Sequence, residues 1–267
     1  MSCKKSSSAL PMRNLIMGLA RRIIPVLLMR DQELVKGKMF DSSRVVGHIQ
    51  QAADIYQARG VDELIVLDVG ATLKKRPPDF ALIRRLTDKC FMPVAAGGGI
   101  RNIRHVRDLL ANGADKVVIG TAALTRRNLV AQCADKFGSQ AITVAVDCRY
   151  DGHGWFVTSR CGTETWCWSP VDFAQEMERQ GAGELIVTGI LNDGMMGGYD
   201  YPLIRKIAKA VNIPVIANGG CGSYEHMHKA LKAGADAVAA GAAFQFLDMT
   251  PRGAAEYLAA KGWETRL

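Results

Sequence analysis

The sequence predicts an α/β fold, a (βα)8 TIM barrel built from two related half-barrels. The first observation is an internal repeat. Met92–Ala123 returns 121 residues later as Ile213–Phe244, with thirteen of 32 aligned positions identical and no gap. The identities include Pro93/Pro214, Gly98/Gly219, Gly99/Gly220, Gly113/Gly234, Asp115/Asp236 and Gly120/Gly241. The same offset aligns Glu63–Val66 with Glu184–Val187, and one register held over so many positions marks two halves of common origin. The second observation is alternation, because short apolar runs are separated by amphipathic stretches, the pattern of βα units around a parallel sheet. The third is length: 267 residues suit one eight-stranded barrel, typically ~250 residues, and no linker interrupts them.

In order, residues 1–20 carry Lys4–Ser8 without a signal-peptide core and are expected to be a disordered leader, with Met12 or Met17 as alternative starts. The barrel domain is expected over 21–267. Its first strand is Arg22–Met29, with Arg22, Ile24, Val26 and Leu28 on one face. A polar loop, Arg30–Ser43, follows and is long enough to be a lid. The first helix is expected near Val45–Ala58 and the second strand over Glu63–Val69. Pro77-Pro78 opens the second helix, which carries Phe80, Ile83 and Leu86. The first repeat gives strands three and four, and Arg127–Lys136 the fourth helix. Strand five is Ile142–Asp147. The turn-rich stretch Arg149–Ser169 resembles a short hairpin, and its Trp166-Cys-Trp168 is read as packing. Ser169 caps the fifth helix, with Pro170 at its first position. Strand six is Glu184–Ile190, helix six Pro202–Val211, and helix eight Gly253–Lys261; the second repeat supplies strands seven and eight.

Composition excludes several classes. The net charge is +8, but the basic residues are spread over helices, which argues for anionic substrates or an acidic partner rather than nucleic acid. Seven scattered cysteines point to a reduced, cytoplasmic protein and not to a disulfide framework. Neither cysteines nor histidines show metal-site spacing, so no metal or cofactor is expected. His226 and His228, two apart on a helix, do not share a face and are expected at the surface. No apolar run is long enough to span a membrane.

Each repeat reads strand, glycine turn, helix, strand, glycine turn. Bare backbone N–H groups at such turns bind phosphate, and two copies favour a ligand phosphorylated at both ends. The turns are Gly98, Gly99, Gly120 and Thr121 in one half, and Gly219, Gly220, Gly222, Gly241 and Ala242 in the other. Gly194, in the stretch after strand six, joins this set. In such barrels chemistry sits at the C-terminal ends of the strands. Asp147 ends strand five on the inward face with Thr143 and Ala145 and is the leading general acid or base. Asp193 contacts substrate or caps a turn; Asp68 alternates outward and reads as structural. Strand one ends in Val26-Leu-Leu-Met29, so a pair of carboxylates facing across the mouth lacks one member.

At the opposite end, Arg22, Glu63, Lys116 and Glu184 start strands one, two, four and six and point inward. A barrel floor is normally packed with branched apolar side chains. The ring is a charged plug that fixes packing, or a gate into the barrel. The inward residues above it are apolar, and such a bore suits a small neutral molecule.

These features resemble the cyclase subunit of imidazole glycerol phosphate synthase, over about Leu19–Leu267. The carrying motifs are Arg22–Pro25, Val35-Lys-Gly37, Asp62–Leu64, Gly97–Ile100, Gly113–Lys116, Phe137–Gln140, Gly181–Glu184, Asp193-Gly194, Gly198–Asp200 and Gly219–Gly222. The resemblance implies a barrel that docks a glutaminase subunit on its floor. Ammonia then enters past a gate matching Arg22, Glu63, Lys116 and Glu184 and reaches a substrate phosphorylated at both ends. It places the two catalytic aspartates at Leu28 and Asp147 and a catalytic loop lysine at Lys36. Leu28 is a departure, since leucine neither takes nor gives a proton; Gly120 and Gly241-Ala242 also stand where the family often carries polar residues. The Leu27-Leu28 strand end, Lys74–Pro78 and Cys90–Pro93 are more similar to a side branch associated with acetamidino modification of surface-polysaccharide sugars. That branch implies a glutaminase and a separate sugar amidotransferase as partners. The alternatives are an active histidine-pathway cyclase in which another carboxylate such as Asp31 replaces the lost one, and a non-catalytic ammonia conduit. The related phosphoribosyl isomerase comes third, because it has no use for the charged floor.

Overall fold

The computed structural model describes residues 20–266, so the leader expected over 1–20 lies, Ala20 apart, outside the described residues, as do Met12 and Met17. The first half runs β1 (Arg22–Arg30), β2 (Glu33–Lys38), β3 (Asp41–His48), α1 (Ile49–Ala58), β4 (Leu64–Asp68) and α2 (Phe80–Thr87). It continues with β5 (Val94–Gly97), α3 (Ile103–Ala111), β6 (Lys116–Ile119), α4 (Thr121–Thr125) and α5 (Leu129–Phe137). The second half runs β7 (Ile142–Tyr150), β8 (Trp155–Ser159), β9 (Glu164–Thr165), α6 (Pro170–Arg179), β10 (Glu184–Gly189) and α7 (Tyr201–Ala210). It ends with β11 (Val215–Asn218), α8 (Tyr224–Lys232), β12 (Ala237–Ala240), α9 (Ala242–Phe246) and α10 (Pro251–Ala260).

Strands β1, β4, β5, β6, β7, β10, β11 and β12 pair in parallel in that order, and β12 returns to β1. The barrel is closed, as the repeat and the alternation predict. Strand alternation divides the apolar residues into two layers. Ile23, Leu27 and Met29 of β1 face outward into the core beneath the helices. Ile24 and Val26 face inward with Ile65, Val118, Ile186 and Ala239, and Leu28 packs against them.

The repeat has a visible structural cause. Asp115 and Asp236 each accept, at 2.8 Å, a hydrogen bond from the backbone N–H of a neighbouring strand's first residue, Val94 or Val215. Asn102 and Ser223, again 121 apart, cap α3 and α8 by accepting from His105 N at 3.0 Å and His226 N at 3.2 Å. The same hydrogen bonds thus fix the start of a strand and the start of a helix in both halves.

Several expectations are corrected. The polar loop Arg30–Ser43 is instead an antiparallel hairpin, β2 with β3, and β2 pairs with the end of β1 through Leu28↔Val35. Val45 and Val46 belong to β3, so the first helix starts at Ile49 rather than Val45. Helical spacing was satisfied there by β-branched residues that pack better in a ladder. Strand five continues past Asp147 to Tyr150 because β8 pairs with its far end. The hairpin expected within Arg149–Ser169 is formed by that extension, β8 and β9. In it Trp166 donates to Ser159 Oγ at 2.9 Å, whereas Trp168 stays exposed with its ring edge-on to Phe173. His228 is buried rather than at the surface, and its Nδ1 accepts from Trp263 Nε1 at 2.9 Å. Among the described residues no helix is long and apolar enough to cross a membrane.

Candidate active site

At the floor, four charges of alternating sign close a ring. Arg22 reaches Glu63 at 2.5 Å and Glu184 at 2.7 Å. Lys116 reaches Glu63 at 3.1 Å and Glu184 at 2.9 Å. Thr143 adds a hydroxyl hydrogen bond to Glu184 at 2.9 Å. Burial alone would raise the Glu184 pKa, but Arg22 and Lys116 outweigh it and hold the carboxyl below its usual range. Burial likewise opposes the charge of Arg22, and Glu184 and Glu63 together lift its pKa above the ordinary value. Each member of the ring is thus paired with two partners of opposite sign. Above it lies the apolar bore of Ile24, Ile65, Val118, Ile186 and Ile216.

The other end opens into a cavity of about 310 Å³ that collects most of the residues singled out in the sequence. Lys36, Asp147 and Asp193 line it, together with Leu28. Asp147, on the inward face of β7, is half-buried. The protein around it pushes its pKa up to about 7, a rise limited by a hydrogen bond from Thr188 and increased by Asp193. A carboxyl poised near neutrality can both give and take a proton. Asp193 follows β10. Burial raises its pKa too, while Lys36 and the backbone N–H groups of Phe40 and Gly194 work against the rise.

Lys36 reaches the cavity because β2 is a strand. Paired to β1, it sends the lysine stem inward, and Nζ donates to the Val26 carbonyl at 3.1 Å. The side chain is buried, which lowers its pKa to about 8 despite the nearby Asp193. The tip of the hairpin is clasped to the loop after β10, with Met39 N donating to Asp193 O at 2.8 Å. Asp31 stays outside the cavity, exposed and ion-paired with Lys74 and Arg76.

The glycine turns face the same space. Gly98, Gly99, Gly120 and Thr121 line one side; Gly219, Gly220, Gly241 and Ala242 line the other, with Gly194 between the hairpin and the second side. Gly98 has φ +105°, and a Cβ there would overlap the Asp68 backbone. Gly220 has φ +99°, and a Cβ there would overlap the Gly198 carbonyl. Those two positions require glycine for backbone reasons before any ligand is considered. Gly222 does not line the cavity and is pressed against the Met196 carbonyl. The Thr121 hydroxyl already accepts from Arg160 N at 2.9 Å. Asp68 is buried at the cavity edge, where it binds the N–H groups of Gly70 and Ala71 and pairs with Arg76 at 2.7 Å.

Sequence reasoning passed over Thr188, Asn218 and Cys161, all of which line the cavity. Alternation could have found the first two, since each stands two residues beyond an inward apolar residue, Ile186 or Ile216. Cys161 comes from the turn between β8 and β9 and carries no such signal. No group of three or more potential metal ligands occurs among the described residues.

Comparison with known proteins finds relatives over nearly the whole chain. The histidine biosynthesis protein family matches residues 22–250. The imidazole glycerol phosphate synthase subunit HisF of Thermococcus onnurineus is 39% identical over 249 residues, covering 93% of this chain and 99% of its own. The subunit of the same name from Chlorobium phaeobacteroides is 38% identical over 250 residues, covering 93% and 100%. That of Thermococcus gammatolerans is 37% identical over 249 residues, covering 93% and 99%. With the family model matched over residues 22–250 and these relatives matched over nearly their whole length, the chain belongs to the histidine biosynthesis protein family.

Proposed function

We propose that this chain is the ammonia-accepting barrel of a glutamine-dependent complex. Its floor receives ammonia from a glutaminase, and its mouth has departed from the cyclase chemistry of its relatives. The observation that carries the reading is the contrast between the two ends. The floor keeps four paired charges around the bore, where apolar side chains could pack as well. The mouth has Leu28 at the position the resemblance gives to a catalytic aspartate. Neutral ammonia is the form an apolar bore favours, because a charged ammonium would leave its hydration behind. At the mouth, Asp147 is the group that takes the proton an attacking amine sheds, and Lys36 is the cation beside it. The glycine turns hold the phosphoryl groups of the acceptor by their backbone N–H groups. The acceptor is assigned to acetamidino modification of surface-polysaccharide sugars, with a separate sugar amidotransferase downstream.

An active histidine-pathway cyclase using Asp31 is disfavoured, because Asp31 lies outside the cavity and is engaged by Lys74 and Arg76. The test is reconstitution with the glutaminase encoded in the same genome. The reading expects a stable complex and transfer of label from amide-15N glutamine to the acceptor, with ammonium salts replacing glutamine when the glutaminase is left out. Absence of any complex, or normal cyclase turnover of the histidine-pathway ribonucleotide, overturns it.

A further inference from the structure

At the level of Asp147 the barrel presents two rows of three inward residues, one per half. In the second half, Asp147 of β7 is in register with Thr188 of β10, and Thr188 with Asn218 of β11. In the first half, Leu28 of β1 is in register with Leu67 of β4, and Leu67 with Gly97 of β5. The repeat offset of 121 relates Thr188 to Leu67 and Asn218 to Gly97. One row is polar throughout, and its counterpart is apolar throughout.

The polar row is connected. Asn218 Nδ2 donates to Thr188 Oγ1 at 3.0 Å. Across the β7–β10 pair Thr188 is the in-register neighbour of Asp147 on the same inward face, and a hydrogen bond from it acts to lower the carboxyl pKa. Thr188 is buried. Hydrogen bonds in series polarise one another, and a donor aimed at a carboxylate stabilises its charged form.

We infer that Thr188 and Asn218 are positioning residues for Asp147, a relay along one rim of the mouth that fixes the carboxylate's orientation and keeps it able to ionise. On this rim the carboxylate shares the cavity with an apolar wall of Leu28 and Leu67. The choice of Asp147 as the reacting group rests on the proposed function, but the relay is tested on the carboxylate itself, so loss of that reading leaves the relay decidable. Other charges bear on Asp147 and stay in place during the test. Asp193 follows β10, with Lys36 of β2 answering it. Asp68 ends β4 and is paired with Arg76. The Cys161 thiol lies on the turn after β8 and feels the same carboxylate.

The experiment is a 13C NMR titration of the full chain with labelled aspartate carboxyls, the Asp147 resonance being assigned by its loss in Asp147→Asn. Thr188→Val removes the hydroxyl and is expected to raise the Asp147 midpoint by about half a pH unit or more. Thr188→Ser keeps the hydroxyl and is expected to leave the midpoint where it was. Asn218→Ala is expected to give a smaller rise, and no further rise when combined with Thr188→Val, because its effect passes through the hydroxyl. Thr188→Ala replaces the valine variant in every comparison if valine disturbs the bore. An unchanged midpoint without the hydroxyl, or an Asn218→Ala shift of equal size with and without it, overturns the relay.

Discussion

The ammonium of Lys36 occupies the space that a side chain at Gly241 would fill: a Cβ built on Gly241 would collide with Nζ. The hairpin delivers the lysine, the Val26 carbonyl accepts from it, and the bare backbone after β12 leaves room for it. Lys36 and Gly241 therefore fit one another in the cavity that Leu28 also lines.

Gly241→Ala is therefore expected to drive Lys36 out of its seat. Burial holds the amine at about 8, so expulsion raises its midpoint toward the ordinary lysine value. The check is pH-dependent acylation of Lys36 followed by mass spectrometry. A midpoint that stays near 8 in the variant shows that Gly241 does not make the seat.

Asp147 carries a cost that a stability measurement can read. Its carboxyl is raised from 3.8 to about 7, so between those values the native state holds a proton that the unfolded chain has released. Stability contributed by this group falls as pH rises through that window and is level above it. Asp147→Asn removes the penalty. Its stability advantage over the wild type is expected to grow from pH 4 to pH 7 and reach about 1–3 kcal/mol, allowing for the group's partial exposure. Denaturant titrations at pH 4, 5.5 and 8 decide it. An advantage that does not change with pH contradicts the raised carboxyl.

Leu28 sets the expected chemistry of the mouth. With ammonium salts and the histidine-pathway ribonucleotide, the wild type is expected to show little or no cyclase turnover. Loss of one member of an acid–base pair commonly costs about 10²–10⁴-fold. Leu28→Asp is expected to raise residual turnover, and Asp147→Asn to abolish it. Wild-type rates near those of an ordinary cyclase would refute the role given to Leu28.

Two anion positions are expected on opposite sides of the cavity, at Gly98-Gly99 with Gly120-Thr121 and at Gly219-Gly220 with Gly241-Ala242. Crystals soaked in phosphate should show density at both and none at Gly222, which is packed against Met196. Two empty turns at high phosphate would show that the inherited ligand shape has been lost.

What could be read in the sequence follows from what alternation and the repeat can carry. The barrel, the inward face of each strand and the meeting of Arg22, Glu63, Lys116 and Glu184 all follow from a period of two applied to strands of known direction. Asp147 at the mouth follows in the same way. The β2–β3 hairpin was hidden because its ladder rests on the end of β1 beyond the barrel, a partner that local pattern does not reveal. Lys36 is therefore legible in the sequence through resemblance alone, although its burial depends on that hairpin. Gly222 was misplaced because one glycine motif serves two ends, with Gly219 and Gly220 facing the cavity and Gly222 facing the Met196 backbone. His228 was misjudged because its partner, Trp263, comes from the far end of the chain.

The central claim is that the floor still passes ammonia although the mouth has changed. Glu184 joins Arg22, Lys116 and Thr143, so Glu184→Ala leaves two cations sharing Glu63 at the opening of the bore. The direct measurement is acceptor amidation by the reconstituted complex, with glutamine and with ammonium salts, for wild type and Glu184→Ala. The account predicts that the variant loses several-fold more of its glutamine-dependent rate than of its ammonia-dependent rate, because only the first nitrogen source must cross the ring. Equal losses with the two sources would make the ring a packing device and contradict the account.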